Sequence, residues 1–309
     1  MRRGSVKFDS RGQFAGHETF PLRLLWLKKA YDAVGDGTDA RTFQEQSAIA
    51  RFGVGRNMAA SMRYWALSTG FFAEPEKARM IAPTPLGRAV LADDGLDPYL
   101  EQPATVWLAH WHVAATPDMT TTAYYAFNLL SAIEFDPASM LEEIMALVEE
   151  NGWRATRGTL KRDIEVFLRS YVRRGDALNE DAAEPLLAEL SIIREARLGG
   201  WYEFVRGPKP SLHDAIFAYA LGDYWERSGG ATTLTAEQIC YGPGSPGRVF
   251  KLDEDSVITR LMRLDDLTDG AWLWVDTAGL RQIQRAAPFD PLDALALAYP
   301  RRKALEAAV

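Results

Sequence analysis

Residues 42–88 constrain the fold more than any other stretch. Thr42 stands as a helix cap with Glu45 three residues on, the spacing of a capping box, and predicts a helix over 43–52. Gly53-Val54-Gly55 makes a tight turn, because glycine takes positive φ without a Cβ penalty. A second helix over 56–69 places Met58, Met62, Trp65 and Ala66 on one face, and Gly70 ends it. Phe71-Phe72-Ala73 and Arg79-Met80-Ile81 read as short strands around the polar tip Glu74-Pro75-Glu76-Lys77. Thr84 and Pro85 restart a helix as cap and first helical residue. Helix, glycine turn, helix, hairpin and helix in this order predict a winged helix-turn-helix, a fold that most often binds DNA.

The flanking sequence is mostly helical in pattern. Residues 1–13 read as a polar, mobile leader. Phe20, Leu24, Leu27 and Tyr31 share helical spacing, so a helix is expected over 14–34 with Pro21 in its first turn. Residues 97–150 predict two or three apolar helices rich in Trp and Tyr, and 154–174 a basic helix. A short helix is expected over 184–198, a turn and strand over 199–205, and an apolar helix over 211–226. The winged pattern recurs more weakly after that. Helices are expected over 234–240 and 255–264, a strand over 272–275 and a closing helix over 278–283. The resulting expectation is a mainly α chain. A winged helix-turn-helix over 1–95 precedes a helical domain over 96–309, which carries a second winged-helix-like subdomain over 211–290.

Charge is distributed unevenly. The 309-residue chain carries a formal charge of -7, which argues against a protein that coats nucleic acid indiscriminately. Between Arg41 and Arg88 seven basic residues face three acidic ones, a local +4 that leaves -11 for the rest. Phosphate contacts come from one basic face. Arg56 and Asn57 open the predicted recognition helix, where side chains reach base edges, and Arg and Asn suit bidentate readout of guanine and adenine. Arg51, Arg63, Lys77 and Arg79 complete the candidate DNA-binding set. Arg157, Lys161, Arg162 and Arg169 form a second basic surface, opposite the apolar stripe Leu160, Ile164, Phe167, Tyr171. That surface is either a solvated helix face or a second phosphate track.

Chemistry is harder to place. Cys240 is the only cysteine, so no internal disulfide or thiolate zinc site is expected, and a reducing, cytoplasmic setting is the simplest reading. No apolar segment suits a signal peptide or a membrane helix. The chain lacks GxxxxGK[ST], GxSxG and HExxH motifs. His17 and Glu18 suit a base with its partner, or two ligands of a divalent ion; alternatively Glu18 caps a helix and His17 packs inside. His110 and His112 lie two apart, a poor spacing for one metal on a helix, and at least one reads as an interior histidine. His213 reads as a cap, and Asp163 with Glu165 as a poor carboxylate pair for the same spacing reason.

Several segments together resemble a known family: Phe14-Ala15-Gly16-His17-Glu18-Thr19-Phe20-Pro21-Leu22-Arg23, Trp26-Leu27-Lys28-Lys29, Arg51-Phe52-Gly53-Val54-Gly55-Arg56-Asn57-Met58, Arg63-Tyr64-Trp65, Thr84-Pro85-Leu86-Gly87, Asp97-Pro98-Tyr99-Leu100-Glu101, the Trp107–Trp111 stretch and Arg206-Gly207-Pro208-Lys209-Pro210-Ser211. The resemblance spans nearly the whole chain. It is to a bacterial domain-of-unknown-function family of DNA-modification and phage-defence gene clusters, which includes the SspB-like nicking component of the Ssp DNA phosphorothioation system. It implies a DNA-nicking endonuclease component that acts on DNA beside a cysteine desulfurase, an ATPase and a sulfurtransferase-like protein, with Mg2+ or Mn2+ as the expected ion. His17, Glu18, Arg56 and Asn57 fall inside its matching motifs. A non-catalytic adaptor or a transcriptional regulator are the alternatives.

Overall fold

The computed structural model describes Phe8 and residues 11–43, 47–74, 80–173, 185–197, 199–277 and 279–300. The fold is mainly α, with three small antiparallel sheets.

The first helix, α1 (Trp26–Val34), is shorter than its pattern predicts. Residues 14–25 form no helix: Ala15, Glu18, Thr19 and Leu25 have positive φ, outside the right-handed helical region. Pro21 therefore opens no helix, and Leu24 points outward while Leu22 is buried. The leader is anchored where it is described. Phe8 packs on Tyr124 and Trp153, and the Gln13 N–H donates to Thr121 Oγ1 at 2.8 Å.

Strand β1 (Thr38–Asp39) leads through a 3-10 turn, Ala40–Phe43, toward α2 (Ser47–Phe52). The predicted capping box lies partly outside the described residues. Thr42 lies in the 3-10 turn and shares a hydrogen bond with Thr38, while Glu45 is outside the described residues. Gly53, at φ 64, turns the chain into α3 (Arg56–Ser68). Ala59, Met62, Trp65 and Ala66 bury one face of α3 and leave Arg56 and Asn57 exposed. Strands β2 (Phe72–Ala73) and β3 (Met80–Pro83) follow, in sheet order β1-β3-β2. Helix α4 (Pro85–Leu91) begins as its sequence predicts, with Thr84 Oγ1 accepting from the Gly87 N–H at 3.0 Å.

The middle of the chain packs around two aromatic-rich helices, α5 (Pro103–Ala115) and α6 (Thr121–Tyr124), the latter continuing into a π turn, Tyr125–Leu129. Strand β4 (Glu134–Phe135), α7 (Pro137–Glu150) and α8 (Arg157–Tyr171) come next. The stripe Leu160, Ile164, Phe167, Tyr171 is buried as predicted. The helix expected over 184–198 is not an α-helix among the described residues, 185–197. A 3-10 turn, Leu186–Leu190, runs into β5 (Ile193–Arg197), which pairs with β6 (Trp201–Phe204) in the order β4-β6-β5.

The last third repeats the element order of residues 26–83. Helix α9 (Asp214–Arg227) precedes β7 (Thr233–Thr235), α10 (Ala236–Tyr241), α11 (Pro246–Val249), α12 (Glu254–Leu261) and α13 (Leu264–Leu267). A hairpin of β8 (Trp272–Thr277) and β9 (Leu280–Arg285) closes the sheet in the order β7-β9-β8, the same permutation as β1-β3-β2. The helix expected over 278–283 is thus a strand. Gly279 turns the hairpin at φ 83, and Ile283 points into the core. Helix α14 (Pro291–Ala294) then packs on α9. Among the described residues, no helix is long and apolar enough to cross a membrane.

Candidate functional site

The exposed first turn of α3 presents Arg56 and Asn57 to solvent, with no acidic residue beside them in that turn. No side chain caps the helix start at Gly55, so the first N–H groups also face outward with the positive end of the helix dipole. Two other basic residues of the candidate set have internal work. Arg51 Nη2 donates to the Ala33 carbonyl, near the C-terminus of α1. Arg63 forms a two-pronged ion pair with Glu74, its Nε donating to Oε1 at 2.7 Å. Lys77 and Arg79 lie outside the described residues.

Behind α3, the segment Phe14–Phe20 is clamped between α3 and α8. His17 is 4% exposed, and its Nδ1 accepts from the Thr19 N–H at 3.1 Å. The proton is therefore on Nε2, which donates to Asp163 Oδ1 at 2.6 Å. Asp163, 6% exposed, also accepts from the Ala15 N–H at 2.7 Å and from the Thr122 hydroxyl. Tyr64 lies edge-on to the His17 ring, with centroids 5.8 Å apart, and its hydroxyl donates to the Met119 carbonyl. Burial, reinforced by the Asp163 charge, holds that phenol well above its usual range. Trp65 Nε1 donates to the Phe20 carbonyl at 2.9 Å, and Arg169 donates to the Thr19 carbonyl. A cavity of about 20 Å3 beside His17, Thr122 and Asp163 has room for one water.

The two members of the catalytic candidate pair are not alike. Glu18 is exposed and caps no helix, since α1 starts eight residues later. His17 has both nitrogens hydrogen-bonded, and its carboxylate partner is Asp163, 146 residues away. Sequence reasoning set Asp163 aside by pairing it with Glu165. The overlooked signal is that Asp163 falls on the buried stripe of α8, three residues after Leu160 and four before Phe167. A carboxylate there needs internal partners.

The donor set does not fit a resident divalent ion. Among the described residues, no three His, Cys, Asp or Glu side chains converge. The Asp163 carboxylate is committed to three donors, whereas Mg2+ takes oxygen ligands and keeps several waters.

The remaining histidines are structural. His110 donates through Nε2 to the Val249 carbonyl at 2.9 Å and accepts the Tyr171 hydroxyl at Nδ1, and burial pushes its pKa down to about 3. His112 bonds to the Tyr219 hydroxyl, and burial lowers it to about 4. His213 caps α9 by accepting from the Ala215 N–H. On α8, Lys161 and Arg162 are exposed, Arg157 pairs with Glu142 at 2.5 Å, and Arg169 is the residue that holds the His17 loop.

The model of a protein family of unknown function, DUF4007, matches residues 14–299. The chain belongs to the DUF4007 family. The match takes in the His17 loop, α3 and the segment around Arg206. Two solved structures resemble the whole fold. The magnesium-ion-bound SspB crystal structure is 27% identical, at a TM-score of 0.80 over 95% of this chain and 87% of that one. A second SspB crystal structure is also 27% identical, at 0.81 over 95% and 88%. No functionally curated protein matches in sequence.

Proposed function

We propose that this protein binds duplex DNA through α3 and serves as the DNA-nicking component of a DNA phosphorothioate-modification and phage-defence system. The observation that carries the DNA reading is the exposed, acid-free and uncapped first turn of α3, which offers Arg56, Asn57 and backbone N–H groups together. In this reading residues 1–95 form a winged helix-turn-helix, α3 is its recognition helix, and the hairpin tip with Lys77 and Arg79 is its wing. Residues 211–290 form a second unit of the same plan. The exposed Lys161 and Arg162 extend the phosphate track. Support for the biological setting comes from family membership and from the likeness to SspB along nearly the whole chain. Proteins of the same modification system (a desulfurase, an ATPase and a sulfurtransferase-like protein) are the proposed partners.

For the nicking step, His17 acts as a positioning residue that shapes the loop carrying Glu18, because both its nitrogens are already bonded. Mg2+ or Mn2+ is the proposed ion, on the likeness to the magnesium-ion-bound SspB structure. The same occupied imidazole favours the second reading, a winged-helix adaptor or regulator without chemistry of its own. Relaxation of supercoiled plasmid by the pure protein, with Mg2+, with Mn2+ and with chelator, separates the two. Metal-dependent nicking that falls at least tenfold in Glu18→Gln supports the nickase. Retarded but intact plasmid under every condition supports the adaptor.

A further inference from the structure

Two lysines are buried against carbonyls rather than carboxylates. Lys251 is 1% exposed; its Nζ donates to the Phe127 carbonyl at 2.5 Å and sits 3.9 Å from the centroid of the Phe204 ring. Lys209, also buried, donates to the carbonyls of Val205 and Gly207, each at 2.9 Å, and to that of Lys251 at 3.4 Å. The Gly207 N–H donates to the Lys251 carbonyl at 3.0 Å, which sets the Arg206 loop against the end of α11 that carries Arg248. Arg206 is exposed, and Arg248 is half-buried with its Nε donating to the Tyr241 carbonyl. Among the described residues neither arginine has a carboxylate partner. Nearby acids are already engaged: Asp214 pairs with Arg260 and Arg263, and Asp253 caps α12 through the Ser256 N–H.

Arg206 opposes Lys209, Arg248 and Lys251, and Arg248 also opposes Lys251. Burial depresses Lys251, and Arg206 and Arg248 depress it further. Burial also lowers Lys209 to about 8, despite the attraction of Asp253. The fold therefore concentrates positive charge in a poorly solvated place and opens it to solvent at the two guanidinium groups. An arriving oxyanion relieves this repulsion and meets planar donor forks suited to phosphate.

We propose that Arg206 and Arg248 bind a phosphate group, on a loop and a helix end braced from behind by the buried Lys209 and Lys251. The site joins the Arg206 loop to the end of α11 that carries Arg248, and does not depend on α3 contacting DNA. The phosphate belongs either to a nucleic-acid backbone or to a small free phosphate compound.

The test uses the full chain with two probes: a fluorescein-labelled duplex followed by anisotropy across a salt series, and inorganic pyrophosphate followed by calorimetry. Arg206→Gln and Arg248→Gln are compared with the native protein. Arg206→Glu, at an exposed position that leaves the fold intact, adds charge reversal. If the site takes backbone phosphate, Arg206→Gln weakens duplex binding about tenfold and lowers the salt slope by about one. If it takes a small phosphate compound, pyrophosphate affinity falls about tenfold and duplex binding is unchanged. Native affinities for both probes in all three variants would overturn the proposal. Arg56→Ala keeps the two readings apart, since loss of the α3 contact weakens duplex binding and spares pyrophosphate.

Discussion

At the residue scale the molecule turns on one buried carboxylate. Asp163 gathers the Ala15 N–H, the His17 imidazole and the Thr122 hydroxyl, and so fixes the His17 loop to α8 and α6. Asp163→Ala strands all three donors in the interior and is expected to cost about 3 kcal/mol of stability, read from urea unfolding. The histidines on α5 give a second expectation. His110 and His112 are held neutral, with pKa values near 3 and 4 against about 6.5 in the unfolded chain. Below pH 6.5 the unfolded chain takes up protons that the folded protein refuses. Their contribution is therefore complete above pH 6.5, is lost as pH falls through 6 and 5 toward 4 and 3, and changes no further below that. The urea midpoint should fall across that window, and His112→Gln should flatten part of the fall. Sequence alone left His17 open between a catalytic and a packing role, expected one of His110 and His112 inside, and read His213 as a cap, which it is. It missed Asp163 because partners 146 residues apart leave no local signature.

At the element scale, patterns that local physics decides were legible, and those decided by distant contacts were not. Thr84-Pro85 and the α8 stripe carry their own caps and periodicity, and both form as read. Residues 14–25 have helical spacing, yet hydrogen bonds from Asp163, Trp65 and Arg169 hold them in left-handed turns that no propensity favours. The strand at 280–285 left little local signal, since Ile283 is its one buried residue and stands among Arg and Gln. Gly87 shows how tightly α4 docks. A Cβ there would lie 2.0 Å from the Phe71 carbonyl oxygen, a backbone atom that cannot rotate aside. Gly87→Ala should destabilise the protein by about 2 kcal/mol or more, measured by thermal unfolding, and should loosen the hairpin that follows α3.

At the scale of the whole molecule, the first and last sheets share one strand permutation, β1-β3-β2 and β7-β9-β8, but the helices beside them differ in charge. Helix α3 opens on Arg56 and Asn57, whereas α12 opens on Glu254 and Asp255 after the capping Asp253. The chain, of net charge -7, thus exposes a basic helix start at α3 and an acidic one at α12. On the proposed function, DNA lies on α3 and extends toward Lys161 and Arg162. Replacing both of these by Ala should reduce the salt slope of binding by up to about two without altering the melting temperature.

The central claim is that α3 contacts DNA. Anisotropy of a labelled duplex, titrated with native protein and with Arg56→Ala from low to physiological salt, tests it most directly. The account predicts binding that weakens linearly in log–log salt plots and an Arg56→Ala variant about tenfold weaker, with a slope smaller by about one. Equal binding by the two proteins, or no binding by the native protein at low salt, would contradict it.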